Sequence, residues 1–256
     1  MKLEGHVALI TGGNRGIGLA TAQLFQAEGA RVAIVGRDAE AGRAALAQLE
    51  CETTARNALF IRADVTRAED CQRAVDETLR AFGQLNILFN NAGIIFRQRN
   101  VEATTEAEWD ATMDTNVKSI FLMSRAALPH LRAAGGGAII NTASYVGLVG
   151  FPGLAAYAAS KGAVVNLTRA LALDHAQENI RVNCICPGSV ETEMIHSAWR
   201  AYGDVGEAAR VWGAKHPMNR VASPQEIARV VLFLASDASS FITGAAIPVD
   251  GGITAG

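Results

Sequence analysis

The chain has 256 residues, half of them hydrophobic and 19% charged, with 25 glycines and a formal net charge of -2. This is the composition of a globular chain with one large core or two small ones, and it argues against a disordered tail or the basic face of a nucleic-acid binder. No apolar run reaches the roughly 18–20 residues of a membrane span. Met1-Lys2-Leu3-Glu4-Gly5-His6 lacks an apolar signal segment, so a cytoplasmic location is expected.

Val7–Ile10 reads as a strand running into Thr11-Gly12-Gly13-Asn14-Arg15-Gly16-Ile17-Gly18, and a helical pattern opens at Gly18 with Leu19, Ala22, Leu24 and Phe25. A strand, a glycine turn and a helix together aim backbone N–H groups at a phosphate. The spacing is Gly-x-x-x-Gly-x-Gly, not the common Gly-x-Gly-x-x-Gly. Arg31–Val35 is a second strand, followed by Gly36-Arg37. Many NAD-binding folds place an acid there for the ribose 2′-hydroxyl. A guanidinium suits a 2′-phosphate instead, so NADP(H) is expected, with Arg15 as a second partner. Either arginine could equally be solvated, and Asp38 is placed to pair with Arg37.

Ala39–Glu50 reads as a helix and Ala58–Ile61 as a strand ending near Asp64-Val65. Thr66 is expected to cap the next helix, which runs to Phe82. Asn86–Phe89 is a fourth strand, ending at Asn90-Asn91-Ala92-Gly93. Strict alternation of strand and helix implies right-handed crossovers and a parallel sheet covered on both faces. Ligands of such sheets sit at the C-terminal strand ends, where Thr11, Gly36, Asp64 and Asn90 all fall.

Glu106–Met113 begins a helical region that continues through Asn116 to Leu131. An asparagine inside a helix competes with the backbone, so Asn116 is either a surface residue or part of a site. Gly135-Gly136-Gly137 ends that helix, and Ala138–Thr142 is a fifth strand ending near Ser144. A helix from about Ala155 to Gln177 places Tyr157 and Lys161 on one face, four residues apart. A cation held near a phenol favours the phenolate, which makes the pair a possible general acid/base, although such pairs also arise by chance. Arg181–Ile185 is a sixth strand, ending in Pro187-Gly188-Ser189-Val190-Glu191-Thr192.

Residues 193–217 break the alternation and carry Met194, Ile195, Trp199, Tyr202, Val211 and Trp212. They read as a substrate lid over the strand ends or as a peripheral helix pair. Ser223-Pro224 starts a helix that ends near Ala235, and Ala245–Val249 is a last strand. No repeat or linker interrupts the chain, so one domain over residues 1–256 is expected. Cys184 and Cys186 read as strand residues facing opposite sides. With Cys51 and Cys71 elsewhere and no second Cys/His pair at zinc spacing, reduced thiols and no metal site are expected.

Together these motifs resemble the short-chain dehydrogenase/reductase family in its single-domain branch. The resemblance spans essentially the whole chain and rests on Thr11-Gly12-x-x-x-Gly16-x-Gly18, Asp64-Val65, Asn90-Asn91-Ala92-Gly93, Asn116, Ser144, Tyr157-x-x-x-Lys161, Pro187-Gly188 and Thr192. It implies a Rossmann-type, doubly wound seven-stranded parallel sheet. It also implies that Tyr157 is the general acid/base, that Lys161 lowers its pKa and binds the nicotinamide ribose, that Ser144 holds the substrate oxygen, and that Asn116 carries a relay water. The implied cofactor residues are Gly12, Asn14, Arg15, Gly16, Ile17, Gly18, Arg37, Asp64, Val65, Asn91, Ala92, Gly93, Pro187, Gly188, Val190 and Thr192, with Tyr157 and Lys161. A homotetramer is implied as well.

The function these readings favour is NADP(H)-linked interconversion of a small secondary alcohol and its ketone, with a sugar or polyol among the candidates. Tyr145, Val146, Leu154, the segment Ile94–Arg99 and the lid would line the pocket. Arg97 and Arg99 could bind a carboxylate or a hydroxyl-rich substrate, or be solvated or at a subunit contact. The rival enzyme reading is a 3-oxoacyl-(acyl-carrier-protein) reductase, which Asp174 and Glu178 at the far end of the Tyr157 helix disfavour, because its carrier is acidic. A catalytically silent NADP(H) sensor is a reading of another class, and the filled catalytic positions argue against it.

Overall fold

The computed structural model describes residues 1–50, 57–200 and 203–256. Its strands are β1 (Val7–Thr11), β2 (Arg31–Gly36), β3 (Ala58–Arg62), β4 (Ile87–Asn90), β5 (Gly137–Thr142), β6 (Ile180–Pro187) and β7 (Ala246–Val249). They form one parallel sheet in the order β3-β2-β1-β4-β5-β6-β7. The order reverses between β1 and β4, which opens a crevice at their C-terminal ends. The helices are α1 (Gly16–Ala27), α2 (Ala39–Glu50), α3 (Ala68–Phe82), α4 (Glu106–Met113), α5 (Ser119–Ala133), α6 (Ala155–His175), α7 (Glu193–Trp199), α8 (Val205–Gly213) and α9 (Pro224–Ala235).

Strand parity sorts the core into two layers. Ala8, Ile10, Val32, Ile34, Ile87 and Phe89 meet α1 and α9 through Ala22, Phe25, Ile227 and Val231. Their strand neighbours Val7, Leu9, Ala33, Val35 and Leu88 point the other way, onto Val75 of α3 and Leu122 and Met123 of α5. A strand covered on both faces must be apolar at every position, and all five residues of β1 are buried.

Several expectations shift. The first helix opens at Gly16, two residues before Gly18. Thr66 does not cap α3, which starts at Ala68 after an uncapped Arg67. Instead the Thr66 amide and hydroxyl both donate to Asp64 Oδ1, at 3.0 and 2.8 Å, and fold the turn before the helix. The helical region around Asn116 is not uniform α-helix, because Asp114–Lys118 forms a π-turn between α4 and α5. Cys184 and Cys186 do not face opposite sides. They are two positions apart on β6, so they share a face, and both are buried with Ile120, Ala143, Val164 and Val165. Cys71, Cys184 and Cys186 are free thiols, and Cys51 and Tyr202 lie outside the described residues. Among the described residues, no helix is long and apolar enough to cross a membrane.

Candidate active site

A cavity of about 680 Å³ lies along the crevice, lined by residues from the glycine turn to Trp212. At one end, the N-terminus of α1 has no side-chain cap and no acidic residue in its first turn. Its free N–H groups therefore remain available to a ligand anion. Gly12 and Gly16 have φ of 62° and 52°, which favours glycine. Gly12, Asn14, Arg15, Gly16 and Ile17 line the cavity. Gly18 does not, because it packs beneath the turn, where a Cβ would collide with the Gly12 carbonyl oxygen. The Asn91 amide Nδ2 donates to the carbonyls of Thr11 and Gly12 at 3.2 and 3.3 Å, so Asn91 holds the turn in shape. Asp64, Val65, Ala92, Gly93, Pro187, Gly188, Val190 and Thr192 also line the cavity.

The two arginines at this end differ. Arg15 pairs with Asp38 and Glu193, each at 3.0 Å, so the partner of Asp38 is Arg15 and not Arg37. Arg37 is exposed at the end of β2, lines the cavity, and has no carboxylate within 4 Å among the described residues. An open glycine cradle, an uncapped helix and one uncommitted guanidinium fit a phosphorylated dinucleotide.

At the other end, Ser144, Tyr157 and Lys161 converge on the cavity wall. Ser144 follows β5 and begins a short 3₁₀ turn (Tyr145–Gly147), with its Oγ accepting from the Val146 amide at 3.4 Å. Tyr157 and Lys161 lie one turn apart near the start of α6, with Lys161 Nζ 5.6 Å from the phenol ring centroid. Burial pushes the Tyr157 phenol above its ordinary value, opposed first by the neighbouring Ser144 hydroxyl and then by the Arg97 guanidinium. Arg97 is thus a second cation acting on the phenol, beside the Lys161 ammonium at its ring. Lys161 is only 3% exposed, and burial pulls its own pKa down to about 8.

Asn116 does not line the cavity. It is fully buried behind Gly93, accepting from the Ile94 amide at 2.8 Å and donating to the Ile94 carbonyl and to Ser160 Oγ, each at 3.0 Å. The π-turn sets aside the local α-helical ladder at this residue, a recurrent feature of functional sites. A Cβ at Gly93 would stand 3.2 Å from Asn116 Oδ1 and 3.6 Å from Lys161 Nζ, so the absence of a side chain lets this loop close over both.

The remaining wall is largely apolar: Ile94, Ile95, Tyr145, Val146, Leu154 and Met194. Residues of α7 and α8 reach it, and both Trp199 and Trp212 have buried indole nitrogens without an acceptor among the described residues, so ring packing places them. The expected pair Arg97 and Arg99 separates. Arg97 lines the cavity beside Trp212, at 4.9 Å from its ring centroid, whereas Arg99 pairs with Glu108 at 3.0 Å.

Sequence reasoning missed His216. It is 4% exposed, and its Nδ1 lies 2.6 Å from the Asp250 carbonyl oxygen while its Nε2 lies 3.3 Å from the Ser189 amide. Those partners assign the proton to Nδ1 and leave Nε2 to accept. The ring thereby ties the Pro187–Ser189 loop to the C-terminal loop. Its only sequence signal is a His-Pro pair at the end of the insertion, which reads as a helix stop.

A family model described as "Enoyl-(Acyl carrier protein) reductase" matches residues 12–254. The trans-4-hydroxycyclohexanecarboxylate dehydrogenase of Sinomonas cyclohexanicum is 43% identical over 259 residues, covering 100% of this chain and 95% of its own. A 3-oxoacyl-(acyl-carrier-protein) reductase of Chlamydia trachomatis is 40% identical over 251 residues, covering 98% of each chain. Among solved structures, levodione reductase superposes with a TM-score of 0.94 at 35% identity, covering 99% of each chain. With the parallel seven-stranded sheet, the glycine cradle and the Tyr157–Lys161 turn already in place, these matches show that the chain belongs to the short-chain dehydrogenase/reductase family.

Proposed function

We propose that the protein is an NADP(H)-linked oxidoreductase that interconverts a small secondary alcohol and its ketone. The observation that carries this reading is the convergence of Ser144, Tyr157 and Lys161 on one end of a cavity whose other end is a phosphate cradle. When bound, the cofactor supplies or accepts the hydride. Ser144 donates to the substrate oxygen and Tyr157 exchanges the proton with it, so charge developing on that oxygen meets two hydroxyl donors. Lys161, anchored to the backbone, lies beside the phenol and would hold the cofactor's ribose. Asn116 positions the loop that closes over Lys161 and, as the family resemblance implies, carries the relay water.

Gly12, Asn14, Gly16 and Ile17 would hold the pyrophosphate, Asp64 and Val65 the adenine, and Arg37 a 2′-phosphate. Asn91, Ala92 and Gly93 would support the middle of the dinucleotide. Pro187, Gly188, Val190 and Thr192 would support its nicotinamide end. The segment 193–217 acts as the lid, and the apolar wall favours a hydrocarbon-bodied substrate over a sugar. As in most of the family, a cytoplasmic homotetramer is the expected assembly.

The 40% identity to a 3-oxoacyl-(acyl-carrier-protein) reductase favours a second reading, in which the ketone is a carrier-bound acyl chain. Glu178, which argued against an acidic carrier, is paired with Arg132 at 2.8 Å, and this weakens that objection. A panel of ketones, alcohols and acetoacetyl thioesters assayed with both cofactors separates the readings. Turnover of small ketones with NADPH supports the first, and preference for thioesters supports the second. Retained NADPH binding without any turnover would favour the silent sensor.

A further inference from the structure

The charges of the cavity are segregated. Its carboxylates, Asp38, Asp64 and Glu193, belong to the cofactor end, and Arg15 holds two of them. The substrate end has Arg97 and Lys161 and no carboxylate among its lining residues, and the exposed Arg200 at the end of α7 adds another lining cation. Arg97 is half-buried and faces the phenols of Tyr157 and Tyr145, both of which feel its charge. Among the described residues, no carboxylate lies within 4 Å of its guanidinium and no hydrogen-bond acceptor receives it. Desolvation accordingly pulls its pKa down.

Burying a charge without a partner is costly, so something must hold this one in place. The backbone does so. Gln98 adopts φ 56°, a conformation uncommon for a residue with a side chain, and this turn sends Arg97 into the cavity while Arg99 leaves it for Glu108. The segment is clamped to the start of α6 by Arg99 N–H to the Gly153 carbonyl at 2.8 Å and Ala155 N–H to the Arg99 carbonyl at 3.2 Å. Lys215 Nζ lies 4.6 Å from the same Trp212 ring centroid that Arg97 approaches, and it too has no carboxylate within 4 Å among the described residues. Two cations share one indole, and no anion on the described chain balances them.

We propose that the substrate carries a carboxylate and that Arg97 binds it, with the exposed Lys215 adding long-range attraction from beside the same indole. The inference rests on the reading of Ser144 and Tyr157 as the groups that hold the reacting oxygen. The planar fork of one guanidinium matches the two oxygens of one carboxylate, and the apolar wall takes the hydrocarbon between the two ends. The chemistry is unchanged at the far group. The hydroxyl proton would pass to the Tyr157 phenolate as the carbinol hydride leaves for the oxidised cofactor, and the carboxylate would remain intact.

Two measurements test this on the full chain. In the first, linear and cyclic oxo acids are reduced with NADPH beside their methyl esters, in wild type, Arg97→Gln and Arg97→Lys. Wild type should prefer acids over esters by about tenfold or more in kcat/KM, mostly through KM. That ratio should collapse toward one in Arg97→Gln and recover in part in Arg97→Lys. A ratio near one in wild type, or one that Arg97→Gln leaves unchanged, overturns the proposal. In the second, binding of cyclohexanecarboxylate and its methyl ester is measured by calorimetry without turnover. Tighter binding of the acid that is lost in Arg97→Gln sustains the anchor even if no ketone is reduced, a result that would instead sink the oxidoreductase reading. Equal binding of acid and ester overturns the anchor whatever the turnover.

Discussion

Lys161 Nζ donates to the Thr142 carbonyl oxygen at 2.7 Å, which pins the buried ammonium to the end of β5. That bond does not undo the burial. The lysine's pKa falls from 10.5 to about 8, chiefly through desolvation, with only Cys186 and Cys184 acting the other way. A lysine with a depressed pKa holds its proton less tightly in the folded chain than in the unfolded one. The folded state is therefore penalised most below about pH 8, where both states are charged. The penalty shrinks as pH rises from there and vanishes above the ordinary 10.5. At about 1.4 kcal/mol per unit it is on the order of 3 kcal/mol, offset by about 1 kcal/mol for the lost hydrogen bond to Thr142. Lys161→Met should thus raise the Tm at pH 6–7 by roughly 4–8 °C, and the gain should disappear near pH 10. Thermal melts across that pH range decide it, and a variant that melts lower at pH 6 refutes the account. Its turnover should fall at least about 100-fold.

Tyr157 and Ser144 divide the work on the substrate oxygen, and their single variants should differ. Tyr157→Phe removes the exchangeable proton and should lower kcat by about 10²–10⁴-fold while NADPH still binds. Ser144→Ala removes one hydrogen-bond donor and also the hydroxyl that opposes the effect of burial on the phenol. Its kcat should fall about 100-fold or more, and the pH at which the rate rises should move upward. A pH–rate profile unchanged by Ser144→Ala would show that Ser144 does not act on Tyr157.

The parts of this site that rest on local pattern were legible in the sequence. The glycine turn, the strand alternation and the one-turn spacing of Tyr157 and Lys161 each depend on neighbours within a few residues. The parity of Cys184 and Cys186 was equally local and was nonetheless misread, since two residues on one strand at i and i+2 must share a face. What escaped depends on distant partners. Arg15 meets Glu193, Arg97 meets Trp212, and His216 meets Asp250, and nothing near any of them in the chain announces the other. The π-turn at Asn116 is a backbone choice set by the pull of Ile94 and Ser160 on that side chain.

Cofactor preference should turn on Arg37 alone. Arg15 is already paired with Asp38 and Glu193, which leaves Arg37 as the uncommitted cation at the adenosine end. A hydrogen bond to a charged group is worth about 1.5–3 kcal/mol, or about 10- to 100-fold. Arg37→Ala should lower the ratio of kcat/KM for NADPH to that for NADH by about that factor, whereas Arg15→Ala should lower it by less. Steady-state kinetics with both cofactors check this. A wild type that prefers NADH tenfold would overturn the assignment of NADP(H).

His216 should matter to stability and to cofactor binding together. It is a buried ring that joins two loops, with the Asp250 carbonyl at Nδ1 and the Ser189 amide at Nε2. Alanine removes both contacts, strands the part-buried Ser189 amide, leaves the Asp250 carbonyl with only the Ile253 amide at 3.4 Å, and leaves a cavity where the ring was. Stranding the amide costs about 1–3 kcal/mol and the cavity adds to it, so the loss should be about 2–5 kcal/mol in all. Because Gly188 and Ser189 line the cavity, the loosened loop should also raise KM for the cofactor by a few-fold. His216→Gln, which can keep one donor and one acceptor, should recover part of the stability. Denaturant melts of the three proteins and their cofactor KM values test the coupling. If His216→Ala melts like wild type, the ring is not the tie between the two loops. If it melts lower with KM unchanged, the tie is structural and does not reach the cofactor.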